Sequence, residues 1–323
     1  MASTLLSSNM MNLVEAQKRD GFTKESEFLA NFVEENDFLK VAPWSKTSSG
    51  LVDKSLKLVS AAEGSWGMAN KGISSGKNVT DSEILTLKLY DGMSQVDERI
   101  FRGVDHPEKV RQTEDIARLQ GISDGWLNKV LYSEDTDDGF AGIFTRRNKI
   151  DKKGRTCFDA GGTASGSLTS ILIVEFGEEK GMTMLYKEGE PAGIKIEDRG
   201  RHMVDAPDGS GSVFAWITYF SIMANIKIRN ERSVIRIANI DPTGEFPMSA
   251  VIEAKNYLPS KGKRNTVMFV NRAVATMVDK YLIDKSQMSF SRRDIEGWGA
   301  VPEFFGMPIL SLDAISDAEA KLS

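Results

Sequence analysis

The chain has 323 residues, 41% hydrophobic and 27% charged, with 46 acidic against 41 basic side chains and a formal charge of -5. That apolar share supports a sizeable core spread over two or three subdomains, while the mild acidity supplies no basic field for nucleic acid or anionic lipid and excludes tight DNA binding as the main task. The single cysteine, Cys157, excludes an intramolecular disulfide and a multi-thiolate zinc site.

No apolar run is long enough to cross a bilayer, and the first residues lack the charge, apolar stretch and cleavage site of a signal peptide, so cytosolic synthesis is expected. Residues 1–22 are polar and read as an arm. Over 23–39, Phe28, Leu29, Phe32, Val33 and Leu39 recur at helical spacing, and Pro43 closes that segment. Two extended stretches follow, 51–61 and 83–100, with alternation at Leu56 and Leu58 and at Leu85, Leu87 and Leu89. Between them the Gly/Ser/Asn-rich tip of residues 64–78 is too long for a tight turn and carries Trp66 and Met68, large apolar side chains of the kind that await a partner surface. The alternative is a tip folded back onto its own domain.

Pro107 starts a helix expected to run to Tyr132, about 37 Å long, with Val110, Ile116, Ala117, Trp126, Leu127, Val130 and Leu131 as its apolar side. Gly121 and Gly125 interrupt it and mark a bend or a close backbone contact. An acidic turn (134–139) and a basic patch (Arg146, Arg147, Lys149, Lys152, Lys153, Arg155) lead to DAGGTASGSLTS, which reads as a flexible link without a core of its own. Strands are expected at 170–176, 182–186, 192–197, 213–222 and 226–237, then a helix at 246–258, a strand at 266–270, a helix at 271–282 and a strand at 301–312. The fold class is α+β.

Catalytic chemistry finds little support. Only His106 and His202 are present, no GxSxG elbow or GxxxxGK[ST] cradle occurs, and both histidines read as structural. The run Glu134, Asp135, Asp137, Asp138, Gly139 misses the ligand order of a calcium loop, whose twelfth position would be Thr145. Glu197 with Asp198 is indistinguishable from solvated surface charge, and the basic patch reads as solvated or subunit-facing. No catalytic residue, cofactor or metal site is assigned.

In order, LNKVLYSEDTDDGFAGIFTRR, SLTSILIVEFGEEKGMTMLYKEGEPAGIKIEDRG, IRNERSVIRIANID, MSAVIEAKNYLP, NTVMFVNRAVATMVDKYL and FFGMPILSLDAI resemble the major capsid proteins of tailed bacteriophages, the Hong Kong 97-type shell fold. In the prototype the helix with its NR start and the G-x-P-[IV] strand precede the β block. Here they follow it, as in the podovirus-type branch with re-ordered topology.

The resemblance implies an N-terminal arm (1–50), an E-loop (51–100), a P-domain with the spine helix (101–160), A-domain strands (161–200), P-domain strands (201–245) and a further A-domain part (246–323). It implies a major capsid protein of the virion that self-assembles as hexamers and pentamers into an icosahedral head, with scaffolding, portal and cement proteins as further partners. Packaged double-stranded DNA would be met only non-specifically, and no membrane is involved. Trp66 and Met68 would lie over an adjacent subunit, with Lys54, Lys57, Arg99 and Arg102 as candidate partners for its acidic surface. Some members cross-link Lys to Asn. Asn70, Lys71 and Lys77 stand in the loop, but no motif picks out a pair. The rival readings are a cellular encapsulin-type shell, told apart by a cargo peptide inside, and a β-rich hydrolase or ligand-binding protein using the acidic loop and Glu197/Asp198, told apart by turnover from a small discrete species.

Overall fold

Continuous apolar runs bounded by turns become strands covered on both faces, and alternating runs become strands with one wet face; both kinds occur here. The computed structural model describes residues 37–323 except 61, 63, 65, 68, 71, 73–75, 102–106, 137, 152–155, 191, 207–210, 262–264, 284–289 and 296–298. Its elements begin with α1 (Asp37–Val41), β1 (Trp44–Lys46), β2 (Val52–Ser60), β3 (Val79–Thr86), β4 (Lys88–Asp97), α2 (Glu98–Phe101), α3 (Pro107–Tyr132) and α4 (Ile143–Arg146). Strands β5 (Cys157–Asp159), β6 (Thr169–Glu175), β7 (Met182–Tyr186), β8 (Ile194–Asp205), β9 (Ser212–Ile228) and β10 (Val234–Ile240) follow. The chain ends with α5 (Met248–Tyr257), β11 (Thr266–Val270), α6 (Arg272–Ile283), β12 (Phe290–Ile295), β13 (Gly299–Phe304) and β14 (Met307–Ser311).

One mixed sheet runs β12-β13-β14-β11-β6-β10-β5. Its central strands are buried throughout and divide their side chains by parity. Ile171, Ile173, Ile235, Ile237, Met268 and Val270 pack with Val251 and Ala254 of α5 and Val274 and Val278 of α6. Leu172, Val174, Val267 and Phe269 point the other way, into a core shared with α1, α3 and the second sheet. That second sheet runs β1-β7-β9-β4, with β8 also on β9. Phe38 meets Phe269 at 5.3 Å and Trp44 stacks on Trp126 at 6.1 Å, so α1 and β1 tie the chain's first described residues into this core.

The spine helix α3 has the expected bounds, but its buried stripe is Leu119, Ile122, Trp126, Leu127, Val130 and Leu131. Ile116 continues that stripe half-buried, whereas Ala117 is exposed, which narrows the expected apolar side. The two spine glycines differ in kind: a Cβ on Gly125 would sit 2.4 Å from the Tyr90 hydroxyl, whereas Gly121 faces open space. Gly142, just before α4, has less room to give, since a Cβ there would lie 2.6 Å from the Leu131 carbonyl oxygen, a backbone atom that cannot swing aside as the Tyr90 side chain can. Gly121→Ala should therefore stabilise by about 1 kcal/mol through helix propensity, and Gly142→Ala should destabilise by about 1–3 kcal/mol through overpacking against backbone. Urea midpoints of the two variants give the comparison.

Three expectations change. Residues 213–222 and 226–237 are not two strands: β9 runs unbroken through residue 225, and the break falls at 229–233. The closing FFGMPIL is not one strand but the β13–β14 hairpin, turning through Phe305 and Gly306 at φ 48° and 83°. The link DAGGTASGSLTS is clamped, since Gly162 donates to the Asn239 carbonyl at 2.8 Å and Leu168 is buried. Of the helix expected over 23–39, residues up to 36 lie outside the described residues, and Asp37–Val41 is helical. The expected boundary at 200/201 falls inside β8, and β6 and β10, expected in different domains, are hydrogen-bonded neighbours. Cys157 is buried in β5, and that burial pushes its thiol up to about 11.

Candidate assembly interface

The segment expected as one long second strand of a hairpin, 83–100, changes partner at Leu87. β3 pairs with β2 from Val52 opposite Thr86 to Leu58 opposite Thr80, while β4 pairs with β9 in the five-stranded sheet. The hairpin proper is β2–β3, a sheet of two strands among the described residues, about 24 Å of paired ribbon. A lone two-stranded ribbon is marginal in water and gains stability only from something packed on it. At its root Leu85 and Leu87 bury against Leu185 of β7, and Leu87 donates to the Leu51 carbonyl at 2.8 Å. Two polar groups of β9 reach the root as well: Lys227 pairs with Asp53 of β2, and the Asn225 amide donates to the Thr86 carbonyl of β3 at 2.7 Å.

Beyond the root several of the described side chains stand in solvent. Ile84 is 62% and Val79 52% exposed, and Trp66 in the tip is fully exposed. Large apolar side chains strung along a projecting ribbon are what a partner surface would bury. For Trp66 the alternative of a tip folded onto its own domain is not what the structure has. Met68 lies outside the described residues, as do Arg102 and Lys71. Lys54 is exposed and sits opposite Ile84 in register, and Lys57 sits opposite Asp81. Arg99 is exposed in α2, 3.9 Å from Asp97. It follows β4, so the length of that strand separates it along the chain from the two hairpin lysines. Asn70 and Lys77 are exposed in the tip.

The described groups weighed for chemistry sit in ion pairs and hydrogen bonds. Glu197 is held by Lys195 at 2.8 Å and by Arg199, and Asp198 by Arg111 at 2.5 Å. The hydrogen bond from Lys195 and that from Arg111 are the main reasons both carboxyls stand below the usual carboxylate range, which suits ion pairs and not a proton donor. His202 lies on β8 with Nε2 2.8 Å from the Arg199 carbonyl oxygen, and His106 is outside the described residues. Among the described residues no cluster of three or more His, Cys, Asp or Glu is placed to hold a metal ion. The basic patch is not solvated at its start: Arg147 is buried, with Glu231 2.5 Å away. Its Lys152, Lys153 and Arg155 are outside the described residues.

Sequence reasoning missed Val79 and Ile84, which read as ordinary strand residues, and the Asp53–Lys227 pair, whose members are far apart in the chain and look like surface charge. A second exposed apolar set, Leu89 and Met93 on β4 with Met203 and Phe214 on the β8–β9 hairpin, was also missed.

Comparison with known proteins places this architecture. A family model described as major capsid protein GP7 matches residues 24–323. No curated protein matches the chain. Among solved structures it is similar to a chain of bacteriophage Epsilon15, at 21% identity and a TM-score of 0.68 over 87% of this chain and 88% of that one. It is also similar to the bacteriophage JBD30 capsid, at 10% identity and a TM-score of 0.50 over 86% and 90% of the two chains. The SrpI encapsulin of Synechococcus elongatus PCC 7942 aligns at 10% identity and a TM-score of 0.44 over 64% and 88%. The chain belongs to the GP7 family of major capsid proteins, shell-forming structural subunits of tailed bacteriophages with the Hong Kong 97-like fold.

Proposed function

We propose that copies of this chain gather as hexamers and pentamers into the icosahedral head of a tailed phage enclosing double-stranded DNA, and that the β2–β3 hairpin with Trp66 is the grip each copy lays on its neighbour. The observation that carries this reading is the ribbon itself: exposed Val79 and Ile84 and a fully exposed Trp66, on a hairpin whose described apolar contacts with the body lie at the root. Closed symmetry multiplies many modest contacts of this kind into a stable wall. The formal charge of -5 suits a wall that holds DNA without adhering to it.

In this reading the E-loop is residues 51–87, the P-domain is the spine helix with the five-stranded sheet, and the A-domain is the seven-stranded sheet with α5 and α6. Lys54, Lys57, Arg99, Met68 and Arg102 are further interface candidates. Scaffolding, portal and cement proteins are its other partners, and synthesis takes place in the host cytoplasm. Negative-stain microscopy of the expressed chain tests the proposal: closed particles are expected, and monodisperse single subunits at high concentration would overturn it. Particles that retained a cargo protein in place of DNA would turn the reading to an encapsulin-type shell.

A further inference from the structure

The root of the hairpin holds an arrangement that stability does not explain. Asp53 is 2% and Lys227 8% exposed, and their side chains meet in an ion pair. The other Asp53 oxygen accepts from the Ser48 amide at 3.2 Å, and the Ser48 hydroxyl accepts from the Lys54 amide at 2.9 Å. Burial alone would raise the Asp53 carboxyl, but the hydrogen bond and charge of Lys227, with the bonds from Ser48, outweigh it and hold the carboxyl below its usual range. Desolvating two charges costs about what their attraction returns, so a buried pair adds little net stability over apolar packing; its best-attested use is to fix one arrangement among several.

The rest of the root shows what needs fixing. Leu85, Leu87 and Leu185 supply apolar contact, which is not directional. Beside them opens a cleft of about 580 Å³ that Ile84, Leu85, Thr86 and Asn225 line together with Arg146 and Glu231, so on this face the root is held by the Asn225 bond and not by close packing. The ribbon is a lever of about 24 Å, so a tilt of about 10° would move its far end by about 4 Å. Lys227 holds β2 and Asn225 holds β3, and both stand on β9; the Asn225 side-chain oxygen accepts from the Ile226 amide at 2.6 Å, which sets the direction in which its NH2 donates.

We propose that Asp53, Lys227 and Asn225 are positioning residues for assembly: they fix the angle at which the hairpin leaves the body and thereby the curvature at which neighbouring copies meet. This rests on the reading of the hairpin as the inter-subunit grip. The test is Asp53→Leu/Lys227→Met, which keeps packing and removes direction, beside the conservative Lys227→Arg. The double variant is expected to keep the unfolding midpoint of the unassembled subunit while amides of β2 and β3 exchange about tenfold faster, and to give shells of mixed diameter and open sheets. Lys227→Arg should give uniform shells. Uniform shells of wild-type diameter from the double variant, or unchanged hairpin exchange, would overturn the proposal. If the double variant does not fold, Asn225→Ala takes its place: faster hairpin exchange with mixed shells supports the proposal, and unchanged exchange or uniform shells overturns it. Should the wild-type chain form no particles, the shell reading falls, and exchange in the soluble subunit still decides whether the pair holds the hairpin.

Discussion

Replacing residues 61–78 with a two-residue turn that joins β2 directly to β3 should give a subunit that folds normally and does not close into shells. The folded part of the prediction follows from where the packing is: the two large cores use α1, α3, α5, α6 and the two larger sheets, and among the described residues none of their members lies between Ser60 and Val79. The assembly part follows from repetition. Trp66 is fully exposed, and an aromatic anchor of this kind contributes about 2 kcal/mol when a partner buries it, which is about 30-fold in the subunit concentration needed for one contact. Every copy makes that contact, so the loss compounds around a closed shell. Trp66→Ala alone should raise the concentration needed for assembly, and the deletion should abolish closure. Size-exclusion chromatography with negative-stain microscopy reads both; normal closed particles from the deletion variant would sink the hairpin's assigned role, and a shifted unfolding midpoint would sink its independence from the core.

Where chain pattern and chain partner agree, the elements were legible. Met182–Tyr186 and Thr266–Val270 have their expected bounds because each is a short, continuous run of mostly apolar residues, and Pro107–Tyr132 because it starts at a proline and keeps its helical period past two glycines. The errors fall where a residue serves a distant group. β9 looked broken because Asn225 interrupts its apolar run, and Asn225 is there to bind Thr86. The Leu85, Leu87, Leu89 alternation hid the change of partner between β3 and β4, since a strand's pattern is the same whichever neighbour it pairs with. The β13–β14 turn gave no signal because Phe305 occupies a left-handed position usually given to Gly or Asn. Of the site, the projecting tip and Trp66 were readable from composition, whereas the buried charges were not: Arg147 finds Glu231 84 residues away and Arg236 finds Glu319 83 residues away. An isolated arginine in sequence looks solvated, and only the fold supplies its partner.

That last pair sets the second large effect. Arg236→Met should lower the unfolding free energy by about 3–5 kcal/mol, the cost of leaving one partner of a buried ion pair behind. Arg236 and Glu319 are both buried, with Nη2 2.8 Å from Oε2. Around them Ser170 bonds the same Glu319 oxygen at 2.5 Å, Tyr132 donates to the other at 2.8 Å, and Arg236 also reaches the carbonyls of Phe144 and Arg147 at 3.3 and 3.2 Å. Burial first, and then the Glu319 charge beside it, push the Tyr132 phenol above its usual value, so it stays a donor. One carboxylate thus joins the end of the spine helix, β6, β10 and the final segment. Asn239 adds a second tie: at φ 59° within β10 it exchanges bonds with Leu322 at 2.8 and 3.0 Å. Because the groups act as a unit, Glu319→Gln should cost a similar amount, and the double variant Arg236→Met/Glu319→Gln clearly less than the sum of the two. Urea unfolding of the three variants gives the cycle. Additive losses would mean that Arg236 and Glu319 act separately, and a loss under about 1 kcal/mol from either single variant would mean that the tail is held by its other bonds, those of Asn239 among them, without this pair.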